Sequence, residues 1–480
     1  MPQVAGTELD PRRWLALLTC CSALFMTLLD VSVTNVALPS IGRATGAAPS
    51  QLQWVVSGYT LAFGLVPVLA GRLGDDHGRR LMFQVGIASF TATSMLAGLS
   101  PNPELLIAAR VLQGLAGGLI NPQVSGLVQQ MFGSSERGRA FGILGTTVGV
   151  GTALGPLVGG ALIAFGGAHD GWRLVFFVNV PIGIAVILIA RRLLPADRVL
   201  GHHRLDVIGA GLLGGATFCV LFAAVEYDAL RDRRLALLAI PALLLLGLFV
   251  SRERRLTRLD QDPLVDLRLF RIPSYSAGVL LALAFFPAMS GLPLVLALYY
   301  QQGLGYTALQ SGLGVSAYAL GGAVAAPLAG RVVTRVGRPL VVAATLTFGA
   351  GAIALAILVT HAPKTSVALV LAPALFVMGA GAGAIITPNQ TLTLMEVDPV
   401  TGSTAGGVLQ TSQRIGLAIG QAVIGAVFFA SLAGAGTRAT RYGDAVGAAV
   451  LAALGFVALA LVVGVVDLVR THQRVKGRAQ

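Results

Sequence analysis

Charge is scarce in this chain. Asp, Glu, Lys and Arg make up 11% of its 480 residues, against roughly 25% in a water-soluble domain. Water is therefore not its main solvent. Lysine is nearly absent, with Lys364 and Lys476 standing against 32 arginines. No G-x-x-x-x-G-K-[ST] run occurs, which excludes a phosphate-cradling loop for ATP hydrolysis. The three cysteines, Cys20, Cys21 and Cys219, lie in apolar runs without the spacing of a zinc site or a disulfide framework. His77, His169, His202, His203, His361 and His472 fall in loops or tails, and the His202–His203 pair reads as solvated linker rather than metal site. Enzyme chemistry, cofactor and metal are all unsupported.

What the chain has instead is apolar length. Hydrophobic residues make up 55% and glycine 61 positions. Fourteen apolar segments are long enough to span ~30 Å of hydrocarbon: 14–40, 52–71, 81–99, 104–131, 140–165, 172–192, 206–226, 234–251, 275–300, 309–330, 339–360, 366–391, 405–431 and 445–469. The fold class expected is an all-α integral membrane protein of fourteen transmembrane helices. The start MPQVAGTELDPRRW carries acidic residues and leads into a retained helix without a small-residue cleavage site.

An even number of spans puts both termini on one side. With both inside, the cytoplasmic segments carry 24 Lys and Arg and the outer segments 8. By the positive-inside rule this bias sets the orientation. It also accounts for the net charge of +13 through topology and anionic lipid, without nucleic acid.

Two stretches echo each other. AGGLINPQ (116–123) is matched by AGAIITPNQ (382–390), and GRLGDDHGRR (71–80) by GRVVTRVGRP (330–339). Each pair lies eight spans apart, as a six-span repeat with a two-span insertion would place them. The expected organisation is a tail (1–13), an N-terminal six-helix bundle (14–192), a linker and two-helix insert (193–251), a cytoplasmic linker (252–274), a C-terminal six-helix bundle (275–469) and a tail (470–480). Parallel repeats of this kind place a substrate site between the halves.

Four motifs make the chain resemble the major facilitator superfamily, and within it the fourteen-span drug:proton antiporters, which are multidrug efflux transporters. GILGTTVGVGTALGPLVGG (142–160) resembles the family's antiporter motif through Gly142, Gly151, Gly155, Pro156, Gly159 and Gly160. Glycines four apart clear one helix face for close approach of a neighbour, and Pro156 frees a backbone carbonyl. The resemblance implies a seal against leak. GRLGDDHGRR resembles the family's inner-gate loop, with Asp75 among Gly71, Gly78, Arg79 and Arg80. Asp75 is placed to accept hydrogen bonds from the positive end of a second-half helix. Asp76 stands where the family usually has a basic residue, and Thr334 replaces the acid in the second copy. ARVLQGLAGG (109–118) resembles the motif built on an Arg and a Gly. LDVSVTNVALPS (29–40) resembles the span-1 motif, with Asp30, Asn35 and Pro39.

Asp30 lies about 24 Å into span 1 and Arg110 about 9 Å into span 4 from the opposite end, so the two sit at similar depths. An arginine within a span costs ~2.5–3.5 kcal/mol on insertion scales and needs a partner. A buried carboxylate either pairs with a cation or takes up a proton, and these options compete. Asp30 and Arg110 are therefore the expected proton-coupling pair, the alternative being a static ion pair that fixes helix packing. Arg414, within span 13, has no assigned role.

Polar and aromatic side chains at mid-span mark the expected substrate cavity: Phe25, Tyr59, Phe63, Asn121, Gln123, Tyr299, Tyr300, Tyr318, Asn389 and Gln390. Buried amides are costly against lipid, and rings suit a flat apolar or weakly cationic ligand. The expected protein is a monomeric, proton-coupled exporter of small amphipathic organic compounds, including drugs and antibiotics. It sits in the plasma membrane with both termini cytoplasmic. A carrier of one specific metabolite and a non-transporting receptor or scaffold on the same fold are the alternatives.

Overall fold

The computed structural model describes residues 12–196, 206–230, 233–259, 261–361, 366–432 and 437–478. Most of the N-terminal tail, His202, His203 and Lys364 lie outside the described residues.

Every long element is an α-helix, as a chain immersed in hydrocarbon requires, because each backbone N–H and C=O must be satisfied within its own segment. The helices are α1 (Arg13–Thr45), α2 (Pro49–Leu65), α3 (Pro67–His77), α4 (Arg79–Leu99), α5 (Pro103–Met131), α6 (Ser134–Phe177), α7 (Asn179–Leu193), α8 (Val207–Leu230), α9 (Ala239–Arg258), α10 (Pro273–Leu298), α11 (Ala308–Val336), α12 (Arg338–His361), α13 (Val367–Met395), α14 (Gly402–Ser431) and α15 (Arg438–Arg478). Among the described residues, eleven helices are long and apolar enough to cross a membrane, and twelve if the bent pair α2–α3 is one crossing.

Two sequence boundaries shift for local reasons. The segment 52–71 is a pair of helices bent by 48°. Pro67 opens the second of them, where its missing N–H and fixed φ interrupt the ladder. Segments 140–165 and 172–192 meet inside α6 at Gly167, whose φ of +83° breaks the helix. Only glycine adopts that backbone freely.

The described chain divides into two compact units. The first comprises residues 1–205 and 398–407, the second residues 206–397 and 408–480. In the first, α1 packs on α6, α5 lies against α2 and α4, and α4 also meets α7. In the second, α13 packs against α11 and α12, α15 against α10 and α12, and α8 against α9. A 3-10 turn at Arg233–Leu238 precedes α9, and another at Leu267–Arg271 precedes α10.

Candidate functional site

The first unit buries a polar cluster in an apolar wall. Leu29, Val33 and Ala37 of α1 pack with Val55 of α2, Ala109 of α5 and Phe176 of α6. Within that wall Asp30 and Arg110 are each only 1% exposed. Arg110 Nη1 lies 2.5 Å from Asp30 Oδ2. The other carboxylate oxygen, Oδ1, accepts hydrogen bonds from Gln113 Nε2 at 3.0 Å and Asn179 Nδ2 at 2.9 Å.

Arg110 is held from several sides. Its Nη1 also donates to Gln113 Oε1 at 2.8 Å, and its Nε donates to the Val55 carbonyl at 3.1 Å. The guanidinium carbon lies 4.2 Å from the centre of the Tyr59 ring, within the range of a cation–π contact. Asn179 also donates to Ser94 Oγ at 3.0 Å, and Ser94 donates to the Phe176 carbonyl at 2.9 Å. Asn179 Oδ1 itself has no hydrogen-bond partner among the described residues.

Gln113, Asn179 and Ser94 were not singled out by the sequence reading. Gln113 was visible as the residue one turn beyond Arg110 on the same helix face. Asn179 was visible as an amide in the apolar run FFVNVPIG. The Val55 carbonyl has no sequence signal.

The glycine motif packs on the same helix that carries Asp30. A Cβ on Gly151 would contact Leu28 and Phe25, one on Gly155 would lie 2.0 Å from Ser32 Cβ, and one on Gly159 would lie 3.0 Å from Val33. Three turns of α6 therefore lie against three successive stretches of α1. Gly160 faces open space. Gly142 accepts from Thr146 Oγ1 through its carbonyl at 3.0 Å. Pro156 lies in the helix, and its side chain is outside the described residues.

Asp75, at the end of α3, serves as a cap for a helix more than three hundred residues away. Its Oδ1 accepts from Ser403 N at 3.1 Å, and Oδ2 accepts from Thr404 N and Thr404 Oγ1, both at 2.8 Å. These amides belong to the first turn of α14, where backbone donors are unpaired and the helix dipole is positive.

Arg79 braces the carboxylate, donating to Asp75 Oδ1 at 2.8 Å and to the carbonyls of Gly126, Pro399 and Val400. Arg80 donates to the carbonyls of Arg191 and Leu194. Gly71 leaves room for the Ser403 carbonyl, which would lie 2.3 Å from a Cβ there. Gly78 has φ +105°. Asp76, the unusual acid, pairs with Arg72 at 3.1 Å.

The second copy of this loop is wired differently. Arg338, in the position that Arg79 holds in the first copy, lies 2.5 Å from Asp467 of α15 and donates to the Ser274 carbonyl at 2.7 Å. Asp467 thus supplies the carboxylate that Thr334 cannot.

The residues expected to line a cavity fall in both units. In the first, Tyr59 lies under Arg110 and beside Phe63, ring centres 5.9 Å apart. Gln123 is fully buried, and its Nε2 donates to the Ala70 carbonyl at 2.7 Å. Phe25 and Asn121 are half-buried. In the second, Asn389 donates to the Gly278 carbonyl at 3.0 Å. Tyr300 stacks on Tyr306 with ring centres 5.6 Å apart and lies near Tyr299. The hydroxyls of Tyr300 and Tyr318 have no hydrogen-bond partner among the described residues. Gln390 and Arg414 are half-buried.

Long apolar helices, a buried ion pair at mid-span and a glycine-lined contact between α1 and α6 define a multi-span membrane protein of transporter class. The Major Facilitator Superfamily family model matches residues 20–421 and again 277–479, and the chain belongs to that family, a family of transporters and not of enzymes.

It is 37% identical over 449 residues to the "Probable actinorhodin transporter" of Streptomyces coelicolor, covering 92% of this chain and 76% of that one. It is 34% identical over 423 residues to the puromycin resistance protein pur8 of Streptomyces alboniger, covering 87% and 82%. Among solved structures, the human organic anion transporter MFSD10 (TETRAN) shares the fold, with a TM-score of 0.66 at 15% identity, over 95% of this chain and 100% of that one.

Proposed function

We propose that this chain exports small amphipathic organic compounds, antibiotics among them, in exchange for protons. The observation that carries the reading is the buried Asp30–Arg110 pair, with its ring of neutral donors, inside a chain whose relatives are named for antibiotic transport and resistance. Asp30 is the proton carrier. Protonation of its carboxylate weakens the attraction to Arg110, and return of the pair expels the proton. Gln113 and Asn179 hold the carboxylate in position through both states. Each proton entering contributes ~2.3 kcal/mol per 100 mV, besides any pH gradient, which is sufficient to drive export of a weakly bound solute.

Asp75, with Gly71, Gly78, Arg79 and Arg80, forms the inner gate. It is closed while the first turn of α14 rests on the carboxylate. The glycine face of α6, from Gly142 to Gly160, is the seal that keeps protons from leaking beside α1. The aromatic and amide side chains named above form the substrate cavity, with Gln123 and Asn389 tied into helix packing and the rings left for stacking.

The chain crosses the membrane fourteen times. The eleven long helices and the bent pair are joined by α6 up to Gly167 and by α9, with α8 and α9 forming the two-helix insert. Both termini are cytoplasmic, the protein is a monomer in the plasma membrane, and the domain boundaries are those read from the sequence. The test is dye efflux from cells lacking their own pumps. Expression should lower accumulation of a fluorescent amphipathic cation, and a protonophore should abolish the effect. Efflux that persists unchanged without a proton gradient overturns the coupling.

A further inference from the structure

The end of α9 and the turn that follows it gather arginine. Arg254 and Arg258 stand one turn apart on α9, and Arg268 and Arg271 one turn apart on the 3-10 turn Leu267–Arg271. All four line a single concavity of about 590 Å³. No carboxylate is among the described residues that line it. Thr257 lines it too, and its hydroxyl is buried without a hydrogen-bond partner among the described residues. Arg268 donates to the Thr257 carbonyl at 3.5 Å; like charges one helical turn apart repel, and an anion among them relieves the repulsion. Guanidinium groups are suited to phosphate, which they bind with paired N–H donors.

A second concavity, about 780 Å³, adjoins the first, and Phe270 and Arg271 line both. Its walls include an apolar stretch, Leu280 of α10 with Val462 and Val466 of α15, beside the polar Ser276 and Gln473. Leu280, Val462 and Val466 are 54%, 59% and 42% exposed, so the described residues leave about half of each side chain uncovered. From Pro273 to Leu280 the groove runs along α10 for about 10 Å at ~1.5 Å per residue, from the helix end along an apolar helix. Arg470, near the end of α15, adds a further cation at its rim. The carboxylate there, Asp467, is engaged by Arg338.

We propose that the two concavities are one binding site for an anionic glycerophospholipid. The phosphate lies among Arg254, Arg258, Arg268 and Arg271, and one acyl chain lies over Leu280, Val462 and Val466. A soluble anion would use only the arginine half and an uncharged lipid only the apolar half. The continuity of the two halves through Phe270 and Arg271 selects a ligand with both. Such a lipid fastens the turn after α9 to α10 and α15 from outside. The site depends on the membrane-spanning fold alone, not on proton-coupled efflux, so either reading can fail without the other.

The test is native mass spectrometry of the purified full chain, titrated with phosphatidylglycerol or phosphatidylcholine of the same acyl chains. At least one phosphatidylglycerol should be retained, bound tenfold or more tightly than phosphatidylcholine. The R258Q/R268Q/R271Q variant should lose that preference and the corresponding triple lysine variant should keep most of it. An R331Q/R335Q control, altering exposed arginines of α11, should bind as wild type. Thermal unfolding in phosphatidylcholine alone should be the same for all, establishing that the variants fold. Glycerol phosphate, the headgroup without chains, should not displace the lipid. Equal retention of the two lipids, wild-type preference in the triple glutamine variant, or displacement by glycerol phosphate would each overturn the proposal.

Discussion

Asp30 and Arg110, eighty residues apart, meet at 2.5 Å with almost no exposure to solvent. Two amides, Gln113 and Asn179, converge on the carboxylate oxygen that Arg110 leaves open. An arginine alone in hydrocarbon is expensive. Here its charge is met by a carboxylate, a carbonyl and a ring. The carboxylate is thereby held at both of its oxygens.

Asn179→Leu removes one of those donors and leaves Oδ1 with Gln113 alone. The protein should lose about 1–3 kcal/mol of stability for the broken buried bond, and proton-driven transport should fall as the carboxylate loses an anchor. Thermal unfolding and transport assays of the variant check this, and wild-type values in both would show that Asn179 does not hold Asp30 in place.

Gly155→Ala places a Cβ 2.0 Å from Ser32 Cβ, where neither helix backbone can yield cheaply. Overpacking of this kind costs about 1–3 kcal/mol, and transport should fall with it. Gly160→Ala, with nothing within 4 Å, should stay within about 0.5 kcal/mol of wild type. Thermal unfolding of the two purified variants side by side tests the packing, and equal effects would contradict it.

Asp75→Asn keeps the shape of the cap but removes its charge and turns an acceptor into a donor facing other donors. The amides of Ser403 and Thr404 should lose protection from hydrogen exchange, with a cost of about 1.5–3 kcal/mol for a charged hydrogen bond. Exchange measured at the start of α14 reads this directly. Unchanged protection would remove Asp75 from the inner gate.

Glu253, past the apolar part of α9, is fully buried and accepts from Val265 N at 3.1 Å. Burial pushes its carboxyl from 4.5 up to about 7, with the charge of Asp206 adding to the rise and Arg252 and the Val265 N–H opposing it. The folded state thus holds a proton that the unfolded chain releases between these values. Stability is full below about 4.5 and falls as pH rises through about 7, by at most about 3 kcal/mol. Glu253→Gln keeps an acceptor for Val265 and should abolish the decline. Hydrogen exchange near Val265, corrected for the intrinsic rate and followed from pH 5 to pH 8, should quicken in wild type and stay flat in the variant.

The sequence made the cluster half legible. Asp30 and Arg110 stand out because a charge inside twenty apolar residues has few innocent explanations, and their depths follow from helical rise. Gln113 was one turn away on the same face. Asn179 was conspicuous too, but its partner lies 149 positions back, and no local rule spans that distance. Asp75 was legible as a cap in search of a helix, whereas its target offers backbone amides, which any residue carries. Pro67 and Gly167 bend and break helices in the expected way, yet apolarity continues through both and hides the boundary.

The measurement closest to the central claim compares wild type with Asp30→Asn in proteoliposomes of controlled orientation, with proton flux and movement of an amphipathic dye read together. Wild type should drive dye against its gradient when protons flow the other way. Asp30→Asn should lose that uphill movement and its proton flux while still exchanging dye down a gradient. A variant that retains proton-driven accumulation would show that Asp30 is a fixed structural partner of Arg110, and that the proton travels elsewhere.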